Sequence, residues 1–135
     1  MSVRATCSQV SEEVANLATL RASGQRANWR LKDNIQRKDP VLETISKAND
    51  VVKTAILNME PLVVGLERKI EELNGRCSLG SLDVKKEEMA QILENARSEL
   101  SESKKLIETL REGSLQATCK IDDMNNPILQ KDVKK

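Results

Sequence analysis

The sequence predicts an all-α protein, an antiparallel bundle of three to four helices built around a long helical hairpin. Three observations carry that expectation. Apolar residues recur at steps of three and four over most of the chain. The two best helical ladders, over 40–74 and 83–112, have complementary lengths and a short loop between them. At 39% apolar and 32% charged, the composition is that of a charge-laced helical domain rather than a disordered tail.

Val10, Val14, Leu17 and Leu20 make the first stripe, behind Ser8 and Ser11 as candidate caps and Glu12-Glu13 where a helix start favours negative charge. Gly24 either breaks or weakens this helix. Ala27, Leu31 and Ile35 continue the stripe amid Arg26, Arg30, Lys32, Arg37 and Lys38, so residues 8–38 read as helical and strongly basic. Asp39-Pro40 marks a new start, because proline at the first helical position gives up an N–H that has no partner there.

The ladder that follows, Ile45, Ala48, Val52, Ala55, Met59, Leu62, Leu66, Ile70 and Leu73, is the most regular in the chain. Ile56 and Val63 widen it beyond a two-position seam, so this face is expected to meet more than one helix. Pro61 inside it removes a hydrogen bond and crowds the Leu57 carbonyl, which predicts a kink or break over Asn58 to Pro61. Asn74-Gly75 reads as a stop and Arg76 to Leu82 as a loop.

A third helix opens near Ser81 or Asp83 with Met89, Ile92, Ala96, Leu100, Ser103, Ile107 and Leu110 on one face, and Gly113-Ser114 reads as its end. Leu115, Ala117, Cys119 and Ile121 alternate like a short strand, but with no partner strand a helical or irregular segment is the better reading. Residues 1–124 are thus expected to form the bundle and 125–135 a flexible tail.

The helices over 40–74 and 83–112 suit antiparallel packing with the first helix in their groove. A fourth element is expected from Leu115 onward or from another copy. Val52, Met59, Pro61, Leu62, Leu66, Ile92, Leu100 and Ile107 are the candidate core or self-association residues.

Composition narrows function mainly by exclusion. Without histidine there is no Ser-His or Cys-His dyad, no helical zinc-protease motif and little general acid/base chemistry near neutral pH. Catalytic, cofactor and metal residues are therefore all expected to be none, and no enzyme activity is expected. Adjacent carboxylates such as Glu71-Glu72 point about 100° apart on a helix, which suits solvation better than shared chemistry.

Cys7, Cys77 and Cys119 are too widely spaced for a metal site or a disulfide framework, and they read as reduced thiols. A net charge of +1 and a single aromatic leave nothing to hold or stack nucleic acid, so none is expected as a partner. The longest apolar stretch, Pro61 to Leu66, is far shorter than the roughly 20 residues of a membrane-spanning helix. Membrane contact, if made, is peripheral. Arg26, Trp29, Arg30 and Lys32 are the candidates for it, since an interfacial indole beside basic residues suits anionic headgroups.

The run Thr54-Ala55-Ile56-Leu57-Asn58-Met59-Glu60-Pro61-Leu62-Val63-Val64-Gly65-Leu66-Glu67-Arg68-Lys69 resembles the second helix of the plant broad-spectrum powdery-mildew-resistance domain, also the N-terminal coiled-coil module of helper immune receptors. Thr118-Cys119-Lys120-Ile121, after the third amphipathic helix, resembles that family's Cys-Lys block, and the likeness spans approximately residues 45–121. The resemblance implies a four-helix bundle akin to that of mixed-lineage kinase domain-like proteins. It also implies a role in plant innate immunity, through self-assembly at the plasma membrane, cation influx and localised cell death. Family members begin with an apolar, glycine-bearing helix, whereas residues 1–40 here are polar and basic, a pattern suited to a regulatory or divergent member.

The leading expectation is a non-enzymatic plant defence-type bundle that mediates self-association and membrane-associated immune or cell-death signalling. Its expected partners are other proteins, further copies of itself in a homo-oligomer, and an anionic membrane surface. Its expected place is the cytoplasm and the periphery of the plasma membrane. The alternative is a structural coiled-coil oligomerisation or adaptor subunit of cytoskeletal, trafficking or viral type, in which the same ladders form a seam between chains.

Overall fold

The computed structural model describes residues 2–79 and 84–125, without the side chains of 77–79. Three helices, α1 (Val3–Gln36), α2 (Leu42–Leu79) and α3 (Lys86–Asn125), account for nearly all of them, and no strand occurs among the described residues. Each helix packs against both others. The fold is an all-α bundle of three helices.

The cap of α1 lies six residues before the expected Ser8. Ser2 is the N-cap: its extended backbone turns the chain into the helix, and its Oγ accepts from the Ala5 N–H at 3.1 Å. Gly24 does not break α1. It is buried, and a Cβ there would lie 3.2 Å from a Leu106 methyl group and 3.5 Å from the Met59 sulfur, so the glycine lets α1 approach both neighbours closely. Arg37 leaves the helix in an extended conformation, three residues ahead of Pro40.

The second helix begins at Leu42 rather than Pro40, with the Val41 carbonyl accepting the Ile45 N–H at 3.0 Å. It then runs without a break through Pro61, where the sequence predicts a kink or a break, and past Asn74-Gly75 to Leu79, which corrects the expected stop and the described part, residues 76–79, of the expected loop. Both results have the same cause. Pro61 is exposed and Leu57, whose carbonyl loses its partner, is 70% exposed, so the lost bond faces water. A side chain at Gly75 would meet open space, so the glycine costs only helix propensity, while Leu73 just before it is fully buried. Pro61→Ala should restore a helix bond without disturbing the core, raising stability by about 1–3 kcal/mol in a denaturant titration.

The expected opening of α3 at Ser81 or Asp83 lies outside the described residues. The helix begins at Lys86, after the Lys85 carbonyl accepts the Met89 N–H at 3.0 Å. Val84 and Met89, both buried, hold the positions of a hydrophobic staple, and Glu87 and Glu88 complement the positive end of the helix. Gly113-Ser114 is not its end. Both residues are buried in mid-helix, and the segment from Leu115 that alternates in sequence continues the same helix, so no fourth element forms from it. Of the expected tail 125–135, only Asn125 is described, as the last residue of α3.

Side-chain pairs fix the relative directions. Asn74 with Arg97 (3.3 Å), Glu67 with Lys104 (3.0 Å) and Glu60 with Arg111 (2.7 Å) descend α2 while climbing α3 in steps of seven, which makes these helices antiparallel. Lys69 donates to Gln9 at 2.8 Å, so α1 also runs antiparallel to α2, and α1 and α3 are parallel. The core is continuous from Cys7 and Leu73 at one end to Leu31, Ile45 and Ala117 at the other.

Candidate functional site

The candidate core residues separate into three groups. Val52, Met59, Leu66 and Ile107 are buried, with the first three fully so. Leu62, Ile92 and Leu100 are partly buried and pack on the edge of the core. Pro61 is exposed on the outer side of α2, outside the core, which leaves self-association as the role the expectation gave it. With Leu57 and Val64, the latter 48% exposed, it forms a short apolar stripe at helical spacing on the face opposite the core.

The expected basic surface is present on α1, and most of it comes together. Trp29 is 79% exposed, and its side chain shares one shallow surface depression with Ala22, Gln25, Arg26 and Arg30. Lys32 is exposed and lines a separate depression on the side of Trp29 toward α3, with Glu112 and Gln116. The reason is angular: Trp29 sits opposite the buried row of Ala27, Asn28 and Leu31, with Arg26 and Lys32 three residues to either side. Arg26, Arg30 and Lys32 form no ion pair among the described residues. Residues 26–53 hold seven Lys or Arg against four Asp or Glu, a net +3 in a chain whose total is +1.

Three buried polar contacts are invisible in a linear reading. Glu99, 8% exposed, accepts from Arg21 Nε at 2.7 Å and Nη2 at 3.2 Å, and from the Ser103 hydroxyl at 2.8 Å. The hydrogen bond to Glu99 is the main reason the Arg21 guanidinium is raised above its ordinary value, so it stays charged at all working pH. Ser114 donates to Asn49 Oδ1 at 2.7 Å. Beside them the Asn28 side chain is buried against Gly113, where a Cβ would meet its Oδ1 at 2.7 Å, and that oxygen has no hydrogen-bond partner. This polar layer fixes the register of α1 on α3, since only glycine leaves room for the amide.

Glu13 faces α2 near Gly65, and its Oε2 is enclosed without a hydrogen bond. Burial pushes its carboxyl above the ordinary carboxylate range; the Lys69 charge opposes this and Glu12 adds to it. A carboxyl raised in the folded state contributes most below its unfolded pKa, and that contribution is lost as pH rises through the folded value. Glu13→Gln should therefore be slightly more stable than the parent at neutral pH, with the gain vanishing below about pH 4, the unfolded glutamate range, in melts across pH.

Among the described residues no group of three His, Cys, Asp or Glu is placed to hold a metal ion, and no helix is long and apolar enough to cross a membrane. Cys7 is buried, Cys119 lies exposed near the end of α3, and neither forms a disulfide. The side chain of Cys77 lies outside the described residues. No protein-family model, curated protein or solved structure matches the chain.

Proposed function

We propose that the chain is a non-enzymatic helical bundle of the plant defence type, which associates with itself at an anionic membrane surface in immune or cell-death signalling. Its place would be the cytoplasm and the inner periphery of the plasma membrane. The observation that carries the reading is the exposed Trp29 beside Arg26 and Arg30, neither of them ion-paired. An indole leaves water readily at the headgroup level, and each basic residue held near an anionic surface adds about 1 kcal/mol. The immune assignment rests on the resemblance over residues 54–69, which lie within α2 and turn Leu57, Pro61 and Val64 outward as a contact stripe.

The structural coiled-coil alternative draws less support, because the ladders that would form a seam between chains are already covered by helices of the same chain. Flotation with phosphatidylserine-containing vesicles tests the proposal. The parent chain should float with them and not with purely zwitterionic vesicles, and Trp29→Ala or Arg26→Glu with Arg30→Glu should reduce floated protein at least about tenfold while the melting temperature holds. Absence of binding to the anionic vesicles would refute it.

A further inference from the structure

The charged residues of α2 fall into two sets. Glu43 pairs with Lys47, Glu60 with Arg111, Glu67 with Lys104, and Glu72 with both Lys69 and Arg76, all within the chain. The remaining four, Asp50, Lys53, Arg68 and Glu71, are exposed and form no side-chain hydrogen bond or ion pair among the described residues. All four lie on the outer face of α2, in line with or flanking the exposed Leu57, Pro61 and Val64.

This face is symmetric along its length. Leu57 and Val64, Lys53 and Arg68, and Asp50 and Glu71 stand at equal distances on either side of the Glu60–Pro61 bond. At ~100° per residue, Asp50 and Arg68 are about five full turns apart and point in one direction. Lys53 and Glu71 are also about five turns apart, and they point together about 60° to one flank. Each flank therefore carries one acid and one base, at opposite ends.

We infer that this face is an isologous interface, on which α2 of a second copy of the chain lies antiparallel. A two-fold axis through the middle of the face sets Leu57 opposite Val64 of the second copy. It brings Asp50 to Arg68 and Lys53 to Glu71 of the second copy, each offset by ~4.5 Å along the axis, within reach of the long basic side chains. Like charges that share a height stand on different flanks. A parallel copy would instead set each charge beside its own kind. A two-fold dimer requires a surface complementary to itself, and the charge order of this face meets that requirement.

The face from Asp50 to Glu71 is about 32 Å long and ~10 Å wide, so the pairing buries roughly 600 Å² in total, below the ~1,200 Å² of a stable interface. It forms where chains are concentrated on a surface, while the chain in dilute solution stays single. The inference deepens the proposed self-association, on which it rests, and it is independent of how Trp29 meets a membrane.

Donor- and acceptor-labelled full chains, tethered by a terminal hexahistidine tag to zwitterionic vesicles carrying nickel-chelating lipid, provide the test. Tethering concentrates the chains whether or not Trp29 binds lipid, which separates this result from that of flotation. Energy transfer should exceed that of an inert protein tethered at the same density. Asp50→Arg alone, Arg68→Asp alone and Leu57→Glu should each remove the excess with the thermal transition unchanged, since all three positions are exposed. An equal mixture of Asp50→Arg and Arg68→Asp chains should restore it, because each then meets the opposite charge on the other. No excess transfer from the parent would overturn this inference and the proposed self-association together. Excess transfer that the reversals leave unchanged, or that the mixture fails to restore, would overturn this interface and leave self-association to another surface.

Discussion

Leu66→Glu is expected to abolish cooperative unfolding altogether. Leu66 is fully buried midway along α2, in a core shared by all three helices. Deleting a buried leucine side chain to alanine costs about 2–5 kcal/mol, and a carboxylate in its place adds the cost of desolvating a charge with no partner. Together these approach the entire stability of a domain of this size, about 5–15 kcal/mol. Far-UV circular dichroism should show loss of the thermal transition for Leu66→Glu, a lowered but cooperative one for Leu66→Ala, and an unchanged one for Leu57→Glu, since Leu57 is 70% exposed on the same helix.

The second large effect belongs to Glu99. Its carboxylate, 8% exposed, holds Arg21 of α1 by two hydrogen bonds and the fully buried Ser103 hydroxyl by a third. Glu99→Ala leaves a guanidinium, itself partly open to water at 27% exposure, and a hydroxyl without their acceptor. Breaking a buried pair from one side costs about 3–5 kcal/mol, and the exposure of Arg21 places the expected loss at the lower end, near 3 kcal/mol. A double-mutant cycle with Arg21→Met isolates the pair: the combined variant should be more stable than Glu99→Ala alone, because the stranded charge is gone. A cycle without coupling would show that the two side chains do not act together.

The interior of each helix was legible in the sequence; the ends were not. Ile45, Val52, Met59, Leu66, Ile70 and Leu73 follow the step of three and four, and all are buried. Ile56 and Val63, which widened the ladder, are buried too, as a helix touching two neighbours requires. Local stop signals failed wherever packing outweighed them. Gly113 looks like a terminus in isolation, but it is held in mid-helix because the Asn28 amide occupies the space where its side chain would be. Pro61 looks like a kink or a break, but its lost bond faces solvent, and the helix continues past it with Met59 and Leu66 buried on either side.

The surface divides in the same way. Trp29 falls off the Ala27, Leu31, Ile35 stripe, a position that suits either covering the side of the bundle or exposure, and the structure leaves it exposed. Lys32 lies about 60° from Trp29 around the axis, as Arg26 does, but in the opposite sense, toward α3, so it lines a different depression. The Glu99 network could not be read in advance. Arg21 and Glu99 are 78 positions apart, and nothing near Glu99 sets it apart from the solvated glutamates around it.

The claim on which the rest depends is that three helices of one chain cover the apolar ladders completely in solution, before any membrane or partner is met. Thermal unfolding followed by circular dichroism over about a hundredfold range of protein concentration, without lipid, tests this most directly. The expected result is one cooperative transition whose midpoint does not move with concentration, together with a monomer mass by sedimentation equilibrium. A midpoint that climbs as the protein is concentrated would mean that the ladders are shared between chains, and would contradict it.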